Sequence, residues 1–308
     1  MRVTALAGGT GAAKLLRGLV RVVDPGDVTI IGNTGDDAQV WGLHVSPDLD
    51  TVMYALGGRL DVTRGWGLAD ESFHCLDAMG GLGGDTWFNL GDRDLATHLI
   101  RTQALRAGRT LSEVTGELCR RLGVRARVLP MSDDPVQTRI ETPDGWLDFQ
   151  EYFVREKAQP AVRAVAYVGA ERARPAPDVV DAIRGADLVL VCPSNPVTSV
   201  GPILAVPEVT DALRSSRNVV GVSPIVGTAP VSGPAGTLMR ARGLDVSAAG
   251  VATAYAPWLH TLVVDASDPD AAAAVKRQGV RPVLANTLMT DRTTEIALAR
   301  TVIEQCPA

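Results

Sequence analysis

Asp36, Asp37, Asp48 and Asp50 put four carboxylates into fifteen residues, soon after the glycine turn Gly8-Gly9-Thr10-Gly11 and Lys14. Carboxylate oxygens are hard ligands suited to Mg2+ or Ca2+, and Mg2+ often completes its shell with substrate phosphates. Four anions packed together repel unless a cation joins them, so Asp36, Asp37 and Asp50 are read as candidate Mg2+ ligands. The glycines stand between an apolar run, Val3–Ala7, and a segment whose apolar face carries Leu15, Leu16 and Leu19. A strand–turn–helix of this kind aims free N–H groups and a helix dipole at an anion. Gly9, Thr10, Gly11 and Lys14 are therefore candidate phosphate contacts. Plainer readings exist for both features: a tight turn with no ligand, and solvated loop charges among which Ser46 or Asp48 caps the next helix.

The turn does not belong to the common nucleotide motifs. In a Walker loop the lysine follows glycine and precedes Ser or Thr, whereas Lys14 lies between Ala13 and Leu15. A dinucleotide fingerprint needs an acid after the second strand, and here that strand, over 28–31, runs into Gly32-Asn33. An ATPase and an NAD enzyme are both disfavoured. Cys75, Cys119, Cys192 and Cys306 are too scattered for a zinc knuckle or redox pair, and His44, His74, His98 and His260 form no helical metal pair. Only Lys14, Lys157 and Lys276 are lysine among 30 basic residues, which suggests a need for a compact ammonium beside the glycine turn. A net charge of −5 argues against nucleic acid as the main partner. No apolar run reaches membrane-spanning length and no leader pattern is visible, so a cytoplasmic protein without a membrane partner is expected.

The elements that must position these residues read as an α/β fold: a Rossmann-like, mostly parallel sheet with helices on both faces and an inserted smaller α+β subdomain. The core is expected over 1–58 and 161–308, with strands at 164–168, 187–192, 218–223, 261–265 and 281–285 and helices at 178–184, 208–214, 271–278 and 291–303. Residues 59–160 are expected to form the insertion. Within it helices are predicted over 70–79, from 92 to about 107, and over 111–122, the last after a Gly108 stop and a Thr110 cap. Strands are predicted over 126–129, 136–141 and 146–154, with Pro143-Asp144-Gly145 as a hairpin turn. Trp66, Trp87 and Phe88 stand in glycine-rich loops of a chain only 4% aromatic, where they either anchor loops or line a pocket for a flat ligand. Two later loops, 192–202 and 223–236, are dense in Ser, Asn, Gly and Pro at strand ends, and with the glycine turn they could frame one long crevice.

Leu6 to Leu16, Asn33 to Asp37, Pro47 to Tyr54, Leu90 to His98, Ser194-Asn195-Pro196 and Ser223-Pro224-Ile225-Val226-Gly227 occur in this order along nearly the whole chain. In this the sequence resembles the 2-phospho-L-lactate transferase and phosphoenolpyruvate transferase family of coenzyme F420 biosynthesis. The resemblance implies two substrates: Fo, a deazaflavin with a ribityl chain, and a guanosine diphosphate ester of lactate or enolpyruvate. The ribityl hydroxyl would attack the phosphorus bearing the three-carbon acid and release GMP, with Mg2+ as cofactor and a homodimer as the assembly. It implies Asp50 as catalytic residue and, with Asn89, as Fo contact. Gly9, Thr10, Gly11 and Lys14 would meet the diphosphate; Ser194, Asn195, Ser223 and Gly227 would hold the guanosine side. Relatives often carry a basic residue where this chain has Asn89 and Ser232. The Ala- and Arg-rich composition is similar to that of actinobacterial proteins, which favours the enolpyruvyl donor. A different class shares the Gly-Gly-Thr-Gly loop and the Asn-Thr-Gly-Asp-Asp turn: gluconeogenesis-factor-like regulators that bind nucleotide sugars without turnover.

Overall fold

The computed structural model describes residues 1–306. Seven strands form one parallel sheet: β1 (Val3–Ala7), β2 (Val28–Gly32), β3 (Arg127–Pro130), β4 (Leu188–Val191), β5 (Val219–Val222), β6 (Thr261–Asp265) and β7 (Arg281–Ala285). Their spatial order is β3-β2-β1-β4-β5-β6-β7. Chain order therefore runs outward in one direction from β1, then jumps back across it to β4. At such a reversal the loops beyond the carboxyl ends of neighbouring strands part and leave a crevice.

The strands read as nearly continuous apolar runs because both faces are covered. Val3, Ala5, Leu188, Leu190, Val220 and Val263 face one layer, and Leu6, Val189, Val191, Val219 and Leu262 the other. The first layer is built by helices α1 (Gly9–Leu19), α2 (Pro47–Leu56), α3 (Asp92–Arg106), α4 (Leu111–Leu122) and α5 (Arg292–Ile303). Leu15, Leu19, Val52, Val114 and Leu298 are among the side chains they contribute. Helices Val179–Gly185, Val209–Ser215, Ala235–Ala241 and Ala248–Tyr255 cover the second face through Ile183, Leu213, Leu238 and Val251. α1 passes so close to α5 that a side chain at Gly18 would collide with the Glu295 carbonyl, and Arg17 makes a buried ion pair with Glu295.

Local signals account for α4. Thr110 and Glu113 form a reciprocal capping box at its start, and Gly123 ends it at φ 75°. Strand membership differs from the sequence expectation in two places. β3 pairs with β2 at the edge of the main sheet rather than inside the insertion, because α3 and α4 supply the crossover that a parallel strand requires. Ala164–Val168 leaves the parallel sheet and pairs antiparallel with Gln137–Thr142, which also pairs with Gly145–Asp148 across the expected hairpin turn. The strand expected over 146–154 stops at Asp148, and Glu151–Arg155 coils into a π-helical turn instead. The helix expected over 70–79 lies at His74–Gly81 and buries none of its residues. Among the described residues, no helix is long and apolar enough to cross a membrane.

Candidate active site at the strand-order reversal

A cavity of about 570 Å³ opens where β1, β4 and β5 end. Its polar floor is the turn between β1 and α1. Gly9 adopts φ 74°, a conformation open to glycine, and a side chain at Gly11 would run into the carbonyl oxygen of Pro193. These two glycines let the first strand's turn and the loop after β4 meet.

Of the residues singled out from the sequence, Gly9, Thr10, Gly11, Lys14, Asp36, Asp50, Asn89, Ser194, Asn195 and Ser223 all line the cavity. Asp37 and Gly227 are not part of its lining. The Asp37 carboxylate accepts a hydrogen bond from Ser46 Oγ at 2.7 Å and lies 2.9 Å from His44 Nε2, and the Gly227 N–H donates to Asp268 at 2.9 Å. Several lining groups are already engaged. Lys14 Nζ donates to the Met289 carbonyl at 3.2 Å, Asn195 Oδ1 accepts from the Val197 N–H at 2.9 Å, and Ser223 Oγ donates to the Ile225 carbonyl at 2.9 Å.

The helix terminus holds a carboxylate of its own. The Gly9 N–H donates to Asp48 Oδ1 at 2.7 Å, and Asn33 Nδ2 donates to Asp48 Oδ2 at 2.8 Å. The sequence reading reserved that N–H for a phosphate; Asp48 takes it because α2 starts directly opposite α1. Burial pushes the Asp48 carboxyl up to about 6 despite these bonds. Asp36 is also buried, its Oδ1 has no partner, and burial together with the charge of Asp48 holds its pKa well above the usual carboxylate range. Two buried, cavity-lining carboxylates, one with a bare oxygen, fit a divalent cation. Among the described residues no group of three His, Cys, Asp or Glu forms a cage, so further oxygen ligands would have to come from a substrate, as Mg2+ sites commonly arrange.

Asp50 sits differently. Arg101, fully buried on α3, places both guanidinium Nη atoms on the two Asp50 oxygens. Burial works against the Arg101 charge, yet the pairing with Asp50 outweighs it and raises the guanidinium pKa. His98 lies 3.3 Å from Arg101 and 3.2 Å from Asp94, and the Tyr54 hydroxyl donates to Asp94 at 2.5 Å. Burial tends to raise the Asp94 pKa, but the hydrogen bond and charge of His98 hold it below the ordinary value. Burial and the charges of Asp50 and Asp94 push the Tyr54 phenol well up. Asp94 and His98 fall within the Leu90 to His98 motif without a role being read for them, and Arg101 lies beyond it; their signal is the spacing i, i+4, i+7, which sets three polar groups on one helix face.

Part of the lining is apolar. Phe149 and Phe153 stack with centroids 5.6 Å apart and planes 6° from parallel, and Trp66 and Phe88 also line the cavity. Such a wall suits a flat aromatic ligand. Trp87 instead lies under Arg155 at 4.6 Å, beside a smaller cavity of about 270 Å³ that shares Phe88 and Gln150 with the main one.

Fold and site define the class: a doubly wound α/β protein with its ligand cavity at the strand-order reversal. Within that class the chain belongs to the family described as 2-phospho-L-lactate transferase CofD, whose model matches residues 3–304, and it is a transferase. It is 48% identical over 311 residues to a phosphoenolpyruvate transferase of Kitasatospora aureofaciens, covering 98% of this chain and 97% of that one. It is 42% identical over 298 residues to a 2-phospho-L-lactate transferase of Methanosarcina mazei, covering 97% and 98%. A crystal structure of a UPF0052 family protein from Bacillus halodurans shares the fold, with a TM-score of 0.67 at 18% identity over 98% of both chains. With relatives of this kind, the non-enzymatic regulator is not favoured.

Proposed function

We propose that this transferase moves a phosphoenolpyruvyl group, or in the second instance a phospholactyl group, from a guanosine diphosphate ester to the ribityl hydroxyl of Fo. The product is the (dehydro) F420-0 skeleton, GMP leaves, and the working form is a cytoplasmic homodimer. The observation that carries the reading is one cavity lined both by a glycine turn with carboxylates and by stacked aromatic rings. A diphosphate suits the first group of residues and a deazaflavin ring the second.

The reaction is a phosphoryl transfer. The hydroxyl oxygen bonds to the phosphorus bearing the three-carbon acid, the bond from that phosphorus to the GMP oxygen breaks with its electron pair going to GMP, and the hydroxyl proton is released to solvent. Such a reaction asks for alignment and charge neutralisation rather than a protein nucleophile. Asp36 and Asp48 are the residues that would hold Mg2+, which when bound neutralises the diphosphate as a Lewis acid. Asp50 accepts a hydrogen bond from the attacking hydroxyl and orients it. Asn89 and the aromatic wall seat Fo; Ser194, Asn195 and Ser223 frame the guanosine side.

The test is a fluorescence titration with Fo, with and without GDP and Mg2+, followed by turnover with each donor. Binding that tightens with GDP and Mg2+, and a higher kcat/KM for the enolpyruvyl donor, is the expected result. Failure to bind Fo under every condition, with a UDP-sugar retained instead, would defeat the proposal.

A further inference from the structure

We propose that Arg101 is a positioning residue: it fixes the Asp50 carboxylate in one orientation at the cavity wall so that Asp50 serves the acceptor hydroxyl and not the cation. The inference rests on the function proposed above. Arg101 is fully buried and its planar fork meets both Asp50 oxygens, while Asp50 still lines the cavity. A lysine would grip such a carboxylate as a point charge; the arginine fork fixes its plane as well. Holding α2 to α3 does not explain the pair, because buried ion pairs are commonly no more stabilising than apolar side chains of the same volume.

The surroundings fit a device for orientation. His98 lies 3.3 Å from Arg101 and 3.7 Å from Asp50, and it is itself braced by Asp94, which accepts the Tyr54 hydroxyl. Asp50 and Tyr54 come from one helix and Asp94, His98 and Arg101 from the other, so neither helix can shift without moving the carboxylate. With both oxygens on the guanidinium, Asp50 is a poor cation ligand, and Asp36 and Asp48 are left for that role.

Arg101→Lys keeps the charge and removes the fork. We expect kcat to fall roughly a hundredfold with the donor KM within about threefold of wild type, since misplacement near 1 Å acts on alignment more than on binding. A crystal structure of the variant should show the Asp50 carboxylate turned from its wild-type plane. Arg17→Lys, at the buried pair with Glu295 away from the cavity, is the matched control and should lower stability without changing kcat. If Arg101→Lys does not fold, Asp50→Glu, which keeps both charges and displaces the carboxylate, is read the same way. Unchanged kcat, or an unmoved Asp50 carboxylate, overturns the inference while the proposed function stands. Wild-type protein that transfers nothing from either donor overturns the proposed function, and the acceptor role falls with it.

Discussion

A carboxylate's role is set by what its oxygens already touch. Asp50 is occupied by Arg101 on both oxygens and Asp48 by the Gly9 N–H and Asn33, whereas Asp36 keeps a bare oxygen that belongs to a cavity-lining residue; Asp37 has one oxygen on Ser46 and His44 and one bare, but does not line the cavity. Two predictions follow at this scale. Mn2+ binding in the presence of GDP, read by electron paramagnetic resonance, should be lost in Asp36→Asn and Asp48→Asn and kept in Asp50→Asn. Asp50→Asn should also lose about 3 kcal/mol of stability in urea unfolding, because it strands the buried Arg101 charge. Asp50→Asn with Arg101→Met should regain most of that stability and still not turn over. The cluster of aspartates was legible from composition and spacing alone. Their division was not, because it depends on Arg101, which is distant in sequence and meets Asp50 only when α3 packs on α2.

Elements were legible where their signals are local. The Thr110 cap, the Glu113 side chain and Gly123 lie next to α4, and its bounds match the expectation. Choosing a partner strand is a long-range matter. Residues 127–130 and 164–168 are both short apolar runs, and nothing within either says that the first joins β2 while the second turns back on 137–142. The same non-local packing gives Gly11 its role, since the turn after β1 must pass the loop after β4 at the Pro193 carbonyl. Gly11→Ala is expected to cost about 1–3 kcal/mol by overpacking and to weaken GDP binding. Urea midpoints and a GDP titration check it, and wild-type values for both would show that the two loops yield freely.

For the whole molecule, the strand order decides where a ligand can enter, and the order was the part of the fold least visible in advance. A carboxylate near the same end of the sheet adds a pH dependence. Asp265, at the end of β6, accepts from the Ser267 N–H at 2.9 Å and from the Thr287 N–H and Oγ, both at 2.8 Å. Burial tends to raise its pKa, but these bonds outweigh burial and lower it below 3.8. A carboxyl with a depressed folded-state pKa adds stability that is complete above the unfolded value and lost as pH falls through the folded one. Melting temperatures should therefore drop below pH ~4, and Asp265→Asn should be less stable than wild type at pH 7 by a margin that shrinks on acidification, as calorimetry across pH will show. Finally, α1 carries the ligand turn at one end and closes against α5 through Gly18, Arg17 and the Leu298 layer. During synthesis α5 is the latest of these helices to leave the ribosome, so the nascent chain holds its glycine turn on a helix with one apolar side bare until translation reaches α5. That interval calls for chaperone cover, and messages cut short before Arg292 should yield products cleared by proteases rather than partly active enzyme.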